Sequence, residues 1–228
     1  ELQKQFILIN NTKPLPKELI YELLPTVDGL PPRLTARSFA SSLTQELNFL
    51  PGGVFEGLIK IHTNPDGVLT ATALHKVIMN SKSNGALRDI YRAKHAQGCL
   101  ELVNDFYSAV QSVFREDWYK QDDVGRSVGL HTPRSSRLIH SAGITALGYI
   151  MDAAFALRGA ETKGQFVDVL EILKPYCAWS SGSWDFQPTP KQWSEVQNTT
   201  RDIGQLREYL YSCLASELRS IRSGVRAI

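Results

Sequence analysis

Cysteine is scarce in this chain. Cys99, Cys177 and Cys213 are an odd number at wide spacings, with no CxxC pair. That pattern fits buried thiols in a reducing cytoplasm better than a disulfide framework or a zinc site. An excess of one charge is also missing: 25 Lys and Arg stand against 23 Asp and Glu, for a net charge of +2. Such a balance allows a local basic patch created by folding, and counts against extensive binding to a polyanion. The sequence has no apolar run of roughly 18 residues and no charged-then-apolar leader, so it offers neither a membrane span nor a signal peptide. Catalytic signatures are lacking too. GxSxG is absent, Gly52-Gly53 is followed by no GK[ST], and His62, His75 and His95 are scattered. The sequence therefore yields no catalytic residue, no metal set and no named cofactor.

What remains is a chain of ordinary globular composition, 43% hydrophobic and 21% charged. Its apolar residues recur mostly at helical spacing. Leu2, Phe6 and Ile9 open the chain inside a helix, an opening that implies sequence upstream of Glu1. Further helices are expected over 15–24, 33–50, from Thr70 or Thr72 to Met79, and 96–118. NSKSNG should be a loop, with a helical turn or two over 86–93. Residues 55–69, with LIKIHT before the turn signal NPDG, read as a small β-hairpin. Lys120 to Pro133 reads as a loop. Ser135 or Ser136 is then expected to cap a helix over 137–158 that is apolar nearly all round, followed by helices over 163–176 and from Thr200 onward. The fold class is mainly α, a multi-helix orthogonal bundle with a small β-hairpin.

The stretch that organises the rest is 176–206, YCAWSSGSWDFQPTPKQWSEVQNTTRDIGQL. Trp179, Trp184 and Trp193 sit there among Ser, Gly, Pro and Asn. Rings this large in so polar a segment require an apolar bed, with a partner for each indole N–H. The segment should fold back as an irregular Trp-rich strap closing the helical core. Its inner wall is a candidate base-stacking surface, with Gln197 and Asn198 beside it. Satisfying the strap's own backbone is the commoner use of such polar residues.

A candidate anion site is the stretch 124–140, VGRSVGLHTPRSSRLIH. It carries Arg126, Arg134 and Arg137 with His131 and no acid, in a Gly- and Ser-rich loop that leads into a helix. A solvated loop capping that helix is the plainer alternative. Arg219, Arg222 and Arg226 recur every three to four residues at the end of the last helix. They would share one face suited to a phosphate backbone, or simply complement the helix dipole. Lys13 is ambiguous between surface charge and phosphate contact.

Two stretches resemble one family. QFILINNTKPLPKELIYELLP is similar to the segment just downstream of the DGQHR motif in the DGQHR-domain family, which includes DndB-like proteins. HSAGITALGYIMDA, CAWSSGSWDF and KQWSEVQNTTRDIGQLREYL resemble the helical C-terminal half of the same proteins. The resemblance implies that residues 1–25 are the tail of a truncated ParB-like region and residues 26–228 a helical domain. It further implies a DNA-binding or regulatory accessory protein of a bacterial DNA-modification or phage-defence system, of the phosphorothioate or 7-deazapurine type. Its expected partners are DNA and other proteins of the modification cluster, with self-association left open. The DGQHR motif itself is not in this chain. Two alternatives remain: a ParB-like nucleotidase or nuclease whose catalytic part lies upstream, and a structural docking or oligomerisation module.

Overall fold

The computed structural model describes Leu24 and residues 32–223. Lys13 and the first expected helix lie outside the described residues, as does the expected second helix apart from Leu24. The fold is mainly α. The chain divides into two compact units, residues 1–100 and 101–228.

In the first unit, helix α1 (Pro32–Phe49) packs against helix α2 (Ala71–Asn84). Ala40, Leu43 and Leu47 of α1 are buried, as are Leu74, Val77 and Ile78 of α2, both sets at the spacing of a single helix face. Helix α2 extends five residues beyond the expected end at Met79. NSKSN continues the helix, with Ser83 donating back to the Met79 carbonyl (2.7 Å) and Ser81 turned inward to accept the Leu87 N–H (3.1 Å). Helix α3 (Leu87–Arg92) follows.

The expected hairpin is not a hairpin. Strand β1 (Ile59–Lys60) pairs in parallel with strand β2 (Leu69–Thr70). The turn folds in on itself: the Asn64 amide donates to the carbonyls of Gly57 and Ile59, both at 2.9 Å. Gly67 then passes so close to β1 that a Cβ there would lie 2.3 Å from the Ile59 carbonyl carbon. That close passage brings the returning chain alongside in the same direction.

Helix α4 (Ala96–Val113) begins in the first unit and continues into the second. It stops at Phe114, whose φ of −105° and ψ of 44° leave helical space, so the single helix expected through Trp118 is two, with α5 covering Arg115–Trp118. The expected loop after it holds an antiparallel hairpin of β3 (Tyr119–Gln121) and β4 (Ser127–Leu130). Asp122 closes its turn by accepting the backbone N–H groups of Val124 (3.1 Å) and Arg126 (2.8 Å).

Helix α6 (Ser141–Arg158) is the centre of the second unit, with residues 142–148 all buried. Tyr107 of α4 donates its hydroxyl to the Ile144 carbonyl at 2.7 Å, and Phe106 meets Phe166 of α7 (Lys163–Leu173) edge-on at 5.2 Å. Gly159, at a φ of 63°, ends α6 in the left-handed conformation that glycine adopts without strain. A 3-10 turn (Lys174–Tyr176) leads into the strap, whose only strands are the antiparallel pair β5 (Ser183–Trp184) and β6 (Lys191–Gln192). Helix α8 (Thr200–Arg222) then packs along α6. No described helix is long and apolar enough to cross a membrane.

Candidate functional site

The strap is a closed, wedged segment. Trp179 and Trp184 are fully buried and meet edge-on at 4.8 Å. Phe114 packs on the first ring, while Phe186 and Tyr209 pack on the second. The Trp184 indole N–H has no acceptor among the described residues. Ring packing has replaced the hydrogen bond that the sequence led us to expect. Neither ring has a free face on which a base could stack.

Polar contacts fasten the strap along its length. Ser180 donates to the carboxylate of Asp117. Burial raises the Asp117 carboxyl above its ordinary range, with Ser180 and His131 pulling the other way. At the far end, Asp202 accepts from Lys191 Nζ (2.8 Å) and from the Gln197 N–H (2.7 Å). Burial pushes the Asp202 carboxyl up, but those two donors and the nearby Arg201 outweigh it and hold the group low. Gln192 and Glu195 form a reciprocal capping box on a 3-10 turn (Trp193–Glu195). Gln197 also donates its amide to the Ser194 carbonyl (3.3 Å), so it serves the strap backbone; Asn198 is exposed beside it.

The arginines read from the sequence have three different environments. Arg137 is buried, its guanidinium donating to the carbonyls of Pro133 and Ser194 and lying 5.6 Å from the centre of the Trp193 ring. Its backbone N–H donates to the Trp179 carbonyl at 2.7 Å. Arg137 is thus the rivet between the loop and the strap, and burial lowers its pKa. Arg126 sits exposed at the hairpin turn, paired with Asp122 at 2.9 Å. Arg134 is exposed, in the turn between them in sequence. His131 has both ring nitrogens engaged, Nδ1 with Ser135 Oγ (3.0 Å) and Nε2 with the Glu116 carbonyl (3.1 Å).

Helix α6 also starts later than expected, at Ser141 with His140 as its N-cap rather than Ser135 or Ser136. Ser136 accepts the Leu138 N–H (3.2 Å) in a local turn, and Ser135 accepts the Thr132 N–H (3.0 Å). Such turns compete with helix, and the non-helical chain lets Arg137 reach the strap.

The open surface lies on α8. Tyr211, Ala215, Arg219 and Arg222 succeed one another at helical spacing and, with Leu157 of α6, line a groove of about 430 Å³. Tyr211 is 47% exposed, unusual for so large a ring. Arg219 donates Nε to the Ala215 carbonyl (3.1 Å), which fixes its stem, and the residue is exposed. Among the described residues no carboxylate lines the groove and neither arginine forms an ion pair. Tyr211 went unnoticed in the sequence. Its spacing from Arg219 carried the signal, but the last helix reads first for its buried side. A smaller pocket of about 240 Å³ between strap and α8 has Asp185 and Glu208 in its wall, a sign unsuited to phosphate. The described residues hold no cluster of three or more potential metal ligands. Comparison of the chain with protein-family models, curated proteins and solved structures returned no match.

Proposed function

We propose that the chain is a DNA-binding or regulatory accessory protein of a bacterial DNA-modification or phage-defence system, contacting DNA through the outer face of α8. The supporting observation is the groove in which the exposed Tyr211 ring stands in line with Arg219 and Arg222, with no acid in its wall among the described residues. Arginines on one helix face suit a phosphate backbone, and an exposed ring beside them suits an unstacked base. The net charge of +2 limits the contact to few phosphates, so binding should be modest and easily broken by salt.

Fluorescence anisotropy with a labelled DNA at 50 and 200 mM salt tests this. Two phosphate contacts correspond to a loss of about tenfold in affinity over that range. The Arg219→Ala/Arg222→Ala variant should bind at least about tenfold more weakly at low salt and show a shallower salt slope. Tyr211→Ala should weaken single-stranded more than duplex DNA. Equal binding by the arginine variant and the parent would sink the reading. A second reading, a docking module, draws on the hairpin, where Val124 is 72% and Val128 62% exposed. Absence of any DNA binding at 50 mM salt would favour it.

A further inference from the structure

The first unit carries a separate pocket, of about 270 Å³, between α1 and α2. Arg37 reaches it from α1. Thr72, His75, Lys76, Met79 and Asn80 reach it from one face of α2, at the three- and four-residue spacing of that face. Two of these side chains are cationic, and no carboxylate lines the space among the described residues. Neither Arg37 nor Lys76 forms an ion pair among the described residues. His75 adds no charge, because burial lowers its imidazole pKa to about 4. Two like charges facing one partly enclosed space repel each other, and an anion between them relieves that repulsion. Thr72 supplies a neutral hydroxyl, while Met79 and Ala40 give the wall an apolar part. A volume just under the usual range for ligand pockets sets the occupant's size to one ring or less beyond its charged group.

We infer that this pocket binds a small organic anion, a phosphate monoester or carboxylate carried on a compact apolar group, with Arg37 and Lys76 as its charge partners. The anion lies between the guanidinium and the ammonium, and the apolar part lies along Met79 and Ala40. This binding does not depend on the α8 groove or on DNA.

Titration calorimetry on the whole chain at low ionic strength, with phenyl phosphate, benzoate and phenol, tests the inference. Phenyl phosphate or benzoate should bind saturably at one site, and phenol should not. Whichever anion binds more tightly identifies the preferred head group. Arg37→Ala/Lys76→Ala should weaken binding at least about tenfold, the scale of a lost charged hydrogen bond. Lys76→Gln alters an exposed position and should weaken it severalfold without touching the fold, as checked by circular dichroism. Arg219→Ala/Arg222→Ala should bind the anion as the parent does. Phenol binding equal to that of the anions would overturn the assignment. So would the absence of saturable heat with either anion, or an unchanged isotherm in Lys76→Gln and the double variant.

Discussion

Two aspartates at opposite ends of the strap respond to pH in opposite directions. Asp202 is held below the ordinary aspartate value because Lys191 and the Gln197 N–H outweigh the cost of its burial. A carboxyl whose folded pKa is depressed adds stability above its unfolded pKa, and that stability is lost as pH falls through the folded value. Asp202→Asn should therefore cost about 1.5–3 kcal/mol at pH 7, the range for hydrogen bonds to a charged group, and progressively less below about pH 4. Asp117 is the reverse case, raised by burial even though Ser180 donates to it. Its contribution is present at low pH and lost as pH rises through the raised value, so ionisation at pH 7 carries a penalty. Asp117→Asn keeps an acceptor for Ser180 and removes the charge, so it should leave stability at pH 7 unchanged or slightly higher. Urea unfolding of both variants at pH 7 and pH 4 measures the two signs. None of this was legible in the sequence. Asp117 read as one residue on a helix and Asp202 as a helix start, and only folding sets them against Ser180 and Lys191.

At the scale of the element, α6 and α8 show how far sequence pattern reaches. The all-round apolar character of α6 foretold its burial, and in α8 the apolar residues Ile203, Leu206, Leu210, Leu214 and Leu218, which recur at helical spacing, form its packing face. Both follow from spacing alone. The start of α6 did not follow, because Arg137 is drawn off by carbonyls of its own loop and of the strap, the latter 57 residues away. The two strand pairings were misread for a similar reason. A side chain, Asn64 in one case and Asp122 in the other, organises backbone that alternation of polar and apolar residues does not describe. Two glycines make the contrast quantitative. At Gly143 in α6 a Cβ would lie 2.0 Å from the Arg137 carbonyl oxygen, against backbone that cannot yield without moving the loop. Gly143→Ala should cost about 2–3 kcal/mol by overpacking. At Gly204 in α8 a Cβ meets nothing within 4 Å. Gly204→Ala should add about 0.5–1 kcal/mol through helix propensity. Paired denaturation curves in which both substitutions had the same sign would contradict this account of the two helices.

On the scale of the whole molecule, the distribution of aromatic residues assigns the optical signals. All four tryptophans, Trp118, Trp179, Trp184 and Trp193, belong to the second unit. Three of them are fully or almost fully buried, so the tryptophan bands of the near-ultraviolet circular dichroism report the packing of that unit. The second unit is about 130 residues long, a size at which a chain buries roughly two thirds of its surface and sustains a core unaided. The chain offers a natural place to separate it. Residues 92–97 are exposed, and Lys94 takes a φ of 56° just before α4 starts at Ala96, so a cut there severs no helix. A chain of residues 95–228 should therefore fold by itself, with the near-ultraviolet spectrum of the full chain and a single cooperative urea transition. The same piece retains the α8 groove and loses the α1–α2 pocket, so it should keep whatever affinity the full chain has for DNA and show none for phenyl phosphate. A featureless near-ultraviolet spectrum alongside normal helical dichroism would mean that the strap does not close its core without residues 1–94.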